Sequence, residues 1–347
     1  MQKKVIFYAN VSPKFLDKWE YYIADIDMLN ECFEEVLLPK NLKQFITLCM
    51  KYSDANIYCW WWHRSFPAIL IAKFFGKKIF CTGAIHMYDY SGNRTYYNRG
   101  FIYKLFTTLS LKLSSHNIFI SKDQYLAITS ALKVNNPELI YSSLTKKRQS
   151  QNQEFITTKS KINQKEINLL FIGWLSKYSI NRKSLIITLN AIKLIRDQID
   201  KKLTINICGT KSDGVEFLRK KINYLEIEEN IVFNFDISQD LKDDFYEKSD
   251  LLVMPSYMEG FGNATLEAMS FGCPVLVSRF GASPEVVGET GYIINNIDAE
   301  SIAKVIKNYS ELPFLEKLNM RKSAFKRAHN IFGFNKKVKS FKKLLKH

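Results

Sequence analysis

The sequence predicts an α/β protein made of two doubly wound parallel domains that face each other across a cleft, and three observations carry that prediction. The chain has 347 residues, and at roughly 150 residues per domain this length supports two cores. Short β-branched or aromatic runs alternate with segments of helical period along most of the chain, the pattern of strands joined by crossover helices in a parallel sheet. One polar stretch from Leu144 to Glu166 (LTKKRQSQNQEFITTKSKINQKE) loses that period and divides the alternation in two, as a linker does.

In the first half the strand-like runs are Val5 to Tyr8, Ile57 to Trp62, Lys78 to Thr82, Asn117 to Ser121 and Leu139 to Tyr141, with helical patterns such as Tyr97 to Leu113 and Lys122 to Leu132 between them. Residues 1–150 are therefore assigned to a first domain and 151–166 to the linker. In the second half, strands are expected at Asn168 to Ile172, Thr204 to Ile207, Ile231 to Phe233, Leu251 to Met254, Pro274 to Val277 and Gly291 to Ile294. Lys183 to Ile195 and Leu266 to Phe271 read as helices, and the second domain is placed at 167–316. Residues 317–347 form a basic helical tail with eleven Lys or Arg and no acidic residue, which supplies most of the formal net charge of +16. Within it Phe334, Val338, Phe341 and Leu345 recur at helical spacing. The favoured reading is that this stripe packs on the body and leaves the lysines in water. The other reading is a helix lying on an anionic membrane surface.

Hydrophobic residues make up 46% and charged residues 24% of the chain, an ordinary globular composition that excludes a disordered or collagen-like protein. The positive balance favours phosphates, nucleic acid or an anionic membrane as neighbours. Helix-turn-helix, finger and aromatic RNA-binding patterns are absent, so no nucleic-acid partner is expected. The six scattered cysteines lack metal-ligand spacing and read as reduced, buried thiols. The first ten residues are too short for a signal h-region, and Phe66 to Phe75, broken by Lys73, is too short to span a bilayer. The expected location is cytoplasmic, with a peripheral position at the inner face of the cell membrane open to it. Asp25-Ile26-Asp27 has the form of a metal-binding Asp-x-Asp but is read as a solvated helical face, so no metal site is expected. The Trp60-Trp61-Trp62-His63 cluster is read as the end of a buried strand.

The chemistry concentrates in Met254 to Val277, MPSYMEGFGNATLEAMSFGCPVLV. A strand, a turn carrying Gly260 and Gly262, and a helix opening near Asn263 or Ala264 follow in that order. In an open parallel sheet, ligands sit beyond the carboxyl ends of the strands, where a helix N-terminus offers unpaired N–H groups to phosphate. Glu259 in the turn and Glu267 one turn into the helix can border the same pocket, and a carboxylate accepts two hydrogen bonds from a vicinal diol. As an isolated pair they would read as two solvated acids.

The full string resembles the signature of glycosyltransferase family 4, retaining, sugar-nucleotide-dependent enzymes of the GT-B fold, which has two Rossmann-like domains. The resemblance covers most of residues 167 to 295: Leu169 to Gly173 resembles the first donor-domain strand and glycine turn, Ile205 to Gly209 the next strand, and Ser249 to Val253 the strand leading into the signature. Pro284 to Val287 with Gly291 resembles the segment after it. More faintly, in residues 1 to 143, Thr82 to Asp89 resembles the loop that brings a histidine and an aspartate near the reacting sugar, and Ile118 to Ser121 the strand after it.

The resemblance implies a transferase that moves a sugar from a nucleoside diphosphate donor to a glycan or lipid-linked acceptor with retention and without a required metal or other cofactor. The first domain would bind the acceptor and the second the nucleotide sugar. It gives Glu259 and His86 catalytic roles. Gly173, Arg182, Lys183, Gly260, Phe261, Gly262, Asn263, Ala264 and Glu267 would bind the donor, with Glu267 on the ribose and Lys183, aided by Arg182, on the diphosphate. Trp174 stands where the family has arginine, with Arg182 or Lys177 available to compensate across a longer Leu175 to Asn181 loop. Asn10-Val11-Ser12-Pro13 replaces the family's glycine pair after the first strand, and Phe235 replaces a glycine near the base. Two alternatives stand beside this reading: a non-catalytic GT-B subunit that binds glycan or a partner, and a nucleotide-sugar epimerase of the same fold.

Overall fold

The computed structural model describes residues 2–88, 95–150 and 165–346. The chain forms two compact units, one made of Met1–Ser150 with Phe332–His347 and the other of Gln151–Ile331. Each carries a six-stranded parallel sheet. All but the last two residues of the expected linker at 151–166, and Asp89 of the histidine loop, lie outside the described residues.

In the first unit the strands are β1 (Gln2–Ala9), β2 (Phe33–Leu37), β3 (Asn56–Trp60), β4 (Ile79–Gly83), β5 (His116–Phe119) and β6 (Pro137–Leu139), in the order β2-β1-β3-β4-β5-β6. Strand side chains alternate between faces. Ile6, Tyr8, Ile57, Cys59, Ile79 and Cys81 thus enter one core, and Val5, Phe7, Tyr58, Trp60 and Phe80 the other. With both faces covered, these strands read as continuous apolar runs. β2 was not expected. It is an edge strand whose Glu34 and Glu35 face solvent, with Glu35 paired to Lys4 on β1, and this acidic pair hides it from an apolar-run reading. The run expected to continue to Trp62 stops at Trp60, because Trp61 takes a left-handed φ of 70° and Trp62 opens the helix Trp62–Phe74.

The basic tail is not one element. It divides at Phe332 and Gly333 into the helix Phe314–Ile331, which belongs to the second unit, and the helix Phe334–Leu344, which belongs to the first. In the latter, Phe334, Val338, Phe341 and Leu344 are buried in the core beneath Phe7, Tyr58 and Phe80. Leu345, expected in the stripe, is only partly covered. The charge is divided too: Lys317, Arg321 and Lys337 are buried, while Lys336, Lys339, Lys342, Lys343 and Lys346 are exposed. Arg321 donates to the carbonyls of Glu247 (2.7 Å) and Ser249 (2.8 Å). Lys337 forms an ion pair with Asp25. Asp25 is therefore not on a solvated face: it is 1% exposed and also accepts from Tyr58 Oη (2.8 Å) and Trp60 Nε1 (2.6 Å). Its partner lies more than 300 residues away, which no local pattern could reveal.

In the second unit β7 (Glu166–Ile172), β8 (Lys202–Gly209), β9 (Ile231–Phe235), β10 (Leu251–Met254), β11 (Val275–Ser278) and β12 (Tyr292–Ile294) are ordered β12-β11-β10-β7-β8-β9. The chain winds outward from β7 through β8 to β9, then returns to the other side of β7 at β10. The β7–β10 junction is thus the topological switch point, where an open α/β sheet leaves a crevice beyond its strand ends. Among the described residues no helix is long and apolar enough to cross a membrane.

Candidate active site

Beyond the carboxyl end of β10, Pro255 to Gly262 loops into the helix Asn263–Ser270. Its N-cap Gly262 has φ 92°, a left-handed conformation that costs a side-chain-bearing residue strain. Beyond the carboxyl end of β7, Gly173 begins the turn to a short helix, Lys177–Arg182, where an extended loop was expected. Ser184, at φ 56°, then redirects the chain into the helix Leu185–Ile195, so the expected helix from Lys183 starts two residues later. This places Lys183 at the corner between two helices. A Cβ built on Gly173 would stand 3.0 Å from Cδ and Cε of Lys183, so a glycine there lets the lysine stem cross the turn.

The two segments meet at Glu259. Its Oε1 lies 3.1 Å from the Arg182 guanidinium, 3.3 Å from Lys183 Nζ and 3.1 Å from Ser256 Oγ. Arg182 also donates to the Met258 carbonyl, and its own carbonyl accepts from the Tyr257 N–H at 2.8 Å. Burial pushes the Glu259 carboxyl upward, but Arg182, Lys183 and the Ser256 hydroxyl outweigh it and hold the group at about 2. Lys183 is 8% exposed, and burial lowers its pKa while Glu259 partly restores it. The result is a largely buried carboxylate paired with two basic side chains at the switch point.

Glu267 is 6% exposed and faces the helix Gln239–Lys248. Its Oε2 accepts from Tyr246 Oη at 3.0 Å and pairs with Lys242. Its charge, like that of Glu259, favours the protonated form of Lys183. Gly173, Arg182, Lys183, Glu259 and Glu267 are thereby gathered in one place, and Phe261 is buried in the connecting loop. Gly260 and Asn263 are partly exposed beside it, as is Ala264. Lys177 is not gathered in: its side chain is exposed, while its backbone N–H caps onto Asp213 at 3.1 Å. Trp174 is half exposed. Phe235 ends β9 opposite Gly209 and stacks on Phe233 at 5.4 Å. Lys242 and Tyr246 were missed because a lysine and a tyrosine four apart on a polar helix carry no motif.

In the first unit the chain also reverses strand order, at β1 and β3. Asn10 after β1 donates to the Arg64 carbonyl at 3.2 Å, which ties the segment replacing the expected glycine pair to the helix after β3. His86 lies on the loop after β4, partly buried, with its carbonyl accepting from the Tyr96 N–H at 2.6 Å. Among the described residues no group of three or more His, Cys, Asp or Glu side chains is set to hold a metal ion.

Comparison with known proteins bears on the family and the fold. The model of the family described as glycosyl transferases group 1 matches residues 152–328. The O-antigen chain mannosyltransferase RfbU of Salmonella typhimurium is 27% identical over 314 residues, 84% of each chain. A D-inositol 3-phosphate glycosyltransferase of Streptomyces avermitilis is 30% identical over 126 residues, 35% of this chain and 27% of that one. Anabaena Alr3699/HepE, solved in complex with UDP and glucose, superposes with a TM-score of 0.78 at 15% identity over 99% of both chains. Sucrose-phosphate synthase from Thermosynechococcus elongatus gives a TM-score of 0.79 at 15% identity over 100% of this chain and 98% of its own. At such identity these two likenesses establish the fold, two Rossmann-like domains of the GT-B type. With the family model spanning just over half of its length, the chain belongs to the glycosyl transferases group 1 family and is a glycosyltransferase.

Proposed function

We propose that the protein is a retaining glycosyltransferase of family 4 that moves a hexose from a nucleoside diphosphate sugar to a glycan or lipid-linked saccharide acceptor in surface polysaccharide synthesis. The observation that carries this reading is the set of Arg182 and Lys183 against Glu259 at the β7–β10 switch point. Cations held by burial and short contacts there are preorganised for the negative charge that builds on a departing diphosphate. The N-terminus of the helix Asn263–Ser270, with the Gly260 to Ala264 backbone, adds N–H donors for the phosphates. Glu267 receives the ribose hydroxyls, and Glu259 borders the donor sugar. His86, with the first unit, serves the acceptor side. The relation to an O-antigen chain mannosyltransferase over 84% of both chains supports a polysaccharide acceptor, and the UDP complexes of Alr3699/HepE support a nucleotide donor.

With the diphosphate charge met by side chains and a helix terminus, turnover requires no metal. The protein works at the cytoplasmic face of the membrane, and its attachment there is electrostatic, through Lys336, Lys339, Lys342, Lys343 and Lys346, because the apolar stripe of their helix is buried in the first unit. The test is incubation of the purified protein with a panel of nucleotide sugars and lipid-linked saccharides extracted from a polysaccharide-producing cell, with and without EDTA. Transfer that survives chelation is expected. Nucleotide binding without transfer to any acceptor would favour the non-catalytic reading, which the half-exposed Trp174 at the family's arginine position supports.

A further inference from the structure

We infer that Lys242 and Tyr246 are positioning residues that fix the ribose-binding carboxylate of Glu267, an inference that rests on the donor-site reading above. The two lie four apart on the helix Gln239–Lys248 and so share one of its faces. That helix is set by its Ser238 N-cap, whose hydroxyl accepts from the Leu241 N–H at 3.2 Å. Both residues address the same oxygen, Oε2 of Glu267. Tyr246 is fully buried, its ring lying nearly parallel to that of Phe271 at 6.1 Å and its hydroxyl 3.0 Å from the carboxylate. The Lys242 ammonium sits 5.6 Å from the centre of the Tyr246 ring, so the aromatic face that braces the lysine also carries the hydroxyl.

A carboxylate this buried is unfavourable unless a counter-charge and hydrogen bonds meet it. Lys242 supplies the charge, and Tyr246 supplies a rigid direction. Holding one oxygen from the far helix fixes the plane of the group, and that plane decides whether the carboxylate can accept from two vicinal hydroxyls at once. With Lys242 removed, the buried carboxylate loses the counter-charge on Oε2 and, with it, its fixed plane. That weakens the grip on ribose and leaves Arg182 and Lys183 in place for the phosphates.

The readout is the preference for ribose, measured by calorimetry as the ratio of dissociation constants for a 2′,3′-dideoxynucleoside diphosphate and its ribonucleotide. The probe base is whichever of UDP, GDP or ADP binds wild type most tightly. Wild type is expected to favour the ribonucleotide by about tenfold or more, the scale of hydrogen bonds to a charged acceptor. Glu267→Ala abolishes the preference. Lys242→Met and Tyr246→Phe, which keep the packing, cut it about threefold to tenfold by raising the ribonucleotide constant alone, and Lys242→Arg restores it. If Glu267→Ala loses the preference while both partner variants keep it, the positioning role is overturned and the donor site stands. If Lys242→Met weakens both probes equally, Lys242 acts on phosphate or on folding and the inference falls. If wild type shows no ribose preference, the ribose assignment of Glu267 fails, and the inference with it.

Discussion

Replacing Lys337 by methionine tests how the C-terminal helix holds the first unit together. The methionine keeps the aliphatic stem in place and removes only the ammonium, leaving Asp25, 1% exposed, without its counter-charge. Breaking a buried ion pair from one side costs about 3–5 kcal/mol. Asp25 keeps hydrogen bonds from Tyr58 Oη and Trp60 Nε1 at 2.8 and 2.6 Å, so the lower end of that range, about 3 kcal/mol, is expected. For a domain of this size each kcal/mol shifts Tm by roughly 2–4 °C, so a fall of about 6–12 °C follows. Tryptophan fluorescence is the fitting assay, because Trp19, Trp60, Trp61 and Trp62 lie in this unit and only Trp174 lies in the other. Adding Asp25→Asn should recover much of the loss, since an amide oxygen can still accept from Tyr58 and Trp60 and carries no buried charge. A single variant as stable as wild type, or a double variant no better than the single, would refute this account of the latch.

Other consequences follow at the donor site and the tail. The depressed Glu259 pKa means that its contribution to stability is fully present above about 4.5 and is lost as pH falls toward about 2; the stability difference between wild type and Glu259→Gln, from urea midpoints, should shrink across that window, and a constant difference would contradict it. Lys183→Ala should weaken nucleoside diphosphate binding by about 1.5–3 kcal/mol in calorimetry, and unchanged affinity in a folded variant would remove Lys183 from the phosphates. Gly173→Ala should displace the Lys183 stem, which lies 3.0 Å from the added carbon, and lower nucleotide affinity more than thermal stability; the reverse order would show the turn to be structural only. Changing Lys336, Lys339, Lys342, Lys343 and Lys346 to serine should abolish salt-sensitive pelleting with anionic vesicles, each cation contributing on the order of 1 kcal/mol, and undiminished pelleting would place any membrane contact elsewhere.

Much of the second unit could be read from the chain because its signals are local. β10 runs over the four residues expected, and the glycine turn before Asn263 announces a helix start in any sequence. Glu259, Lys183 and Arg182 were named from the family resemblance, and the fold brings both cations to 3.1–3.3 Å from the carboxylate. What stayed hidden depends on partners far away in sequence. Asp25 looked like a surface acid on an amphipathic helix until Lys337 closed over it. The tail looked uniform because its basic residues are evenly spread, yet the break at Gly333 sends its two helices to different cores. Likewise the partners of Glu267 come from a helix that precedes it by some twenty residues and carries no signature of its own.

The central claim, that the β7–β10 switch point holds a nucleotide sugar for transfer with retention, is tested most directly by following the sugar itself. The best-bound nucleotide sugar and a lipid-linked saccharide would be incubated with wild type and with Lys183→Ala, and the anomeric configuration of the new linkage read by NMR. The account predicts an α-linked product from an α-configured donor with wild type and a loss of rate of tenfold or more in the variant, the scale of losing a charged contact to the departing diphosphate. An inverted linkage, or equal rates for the two proteins, would contradict it.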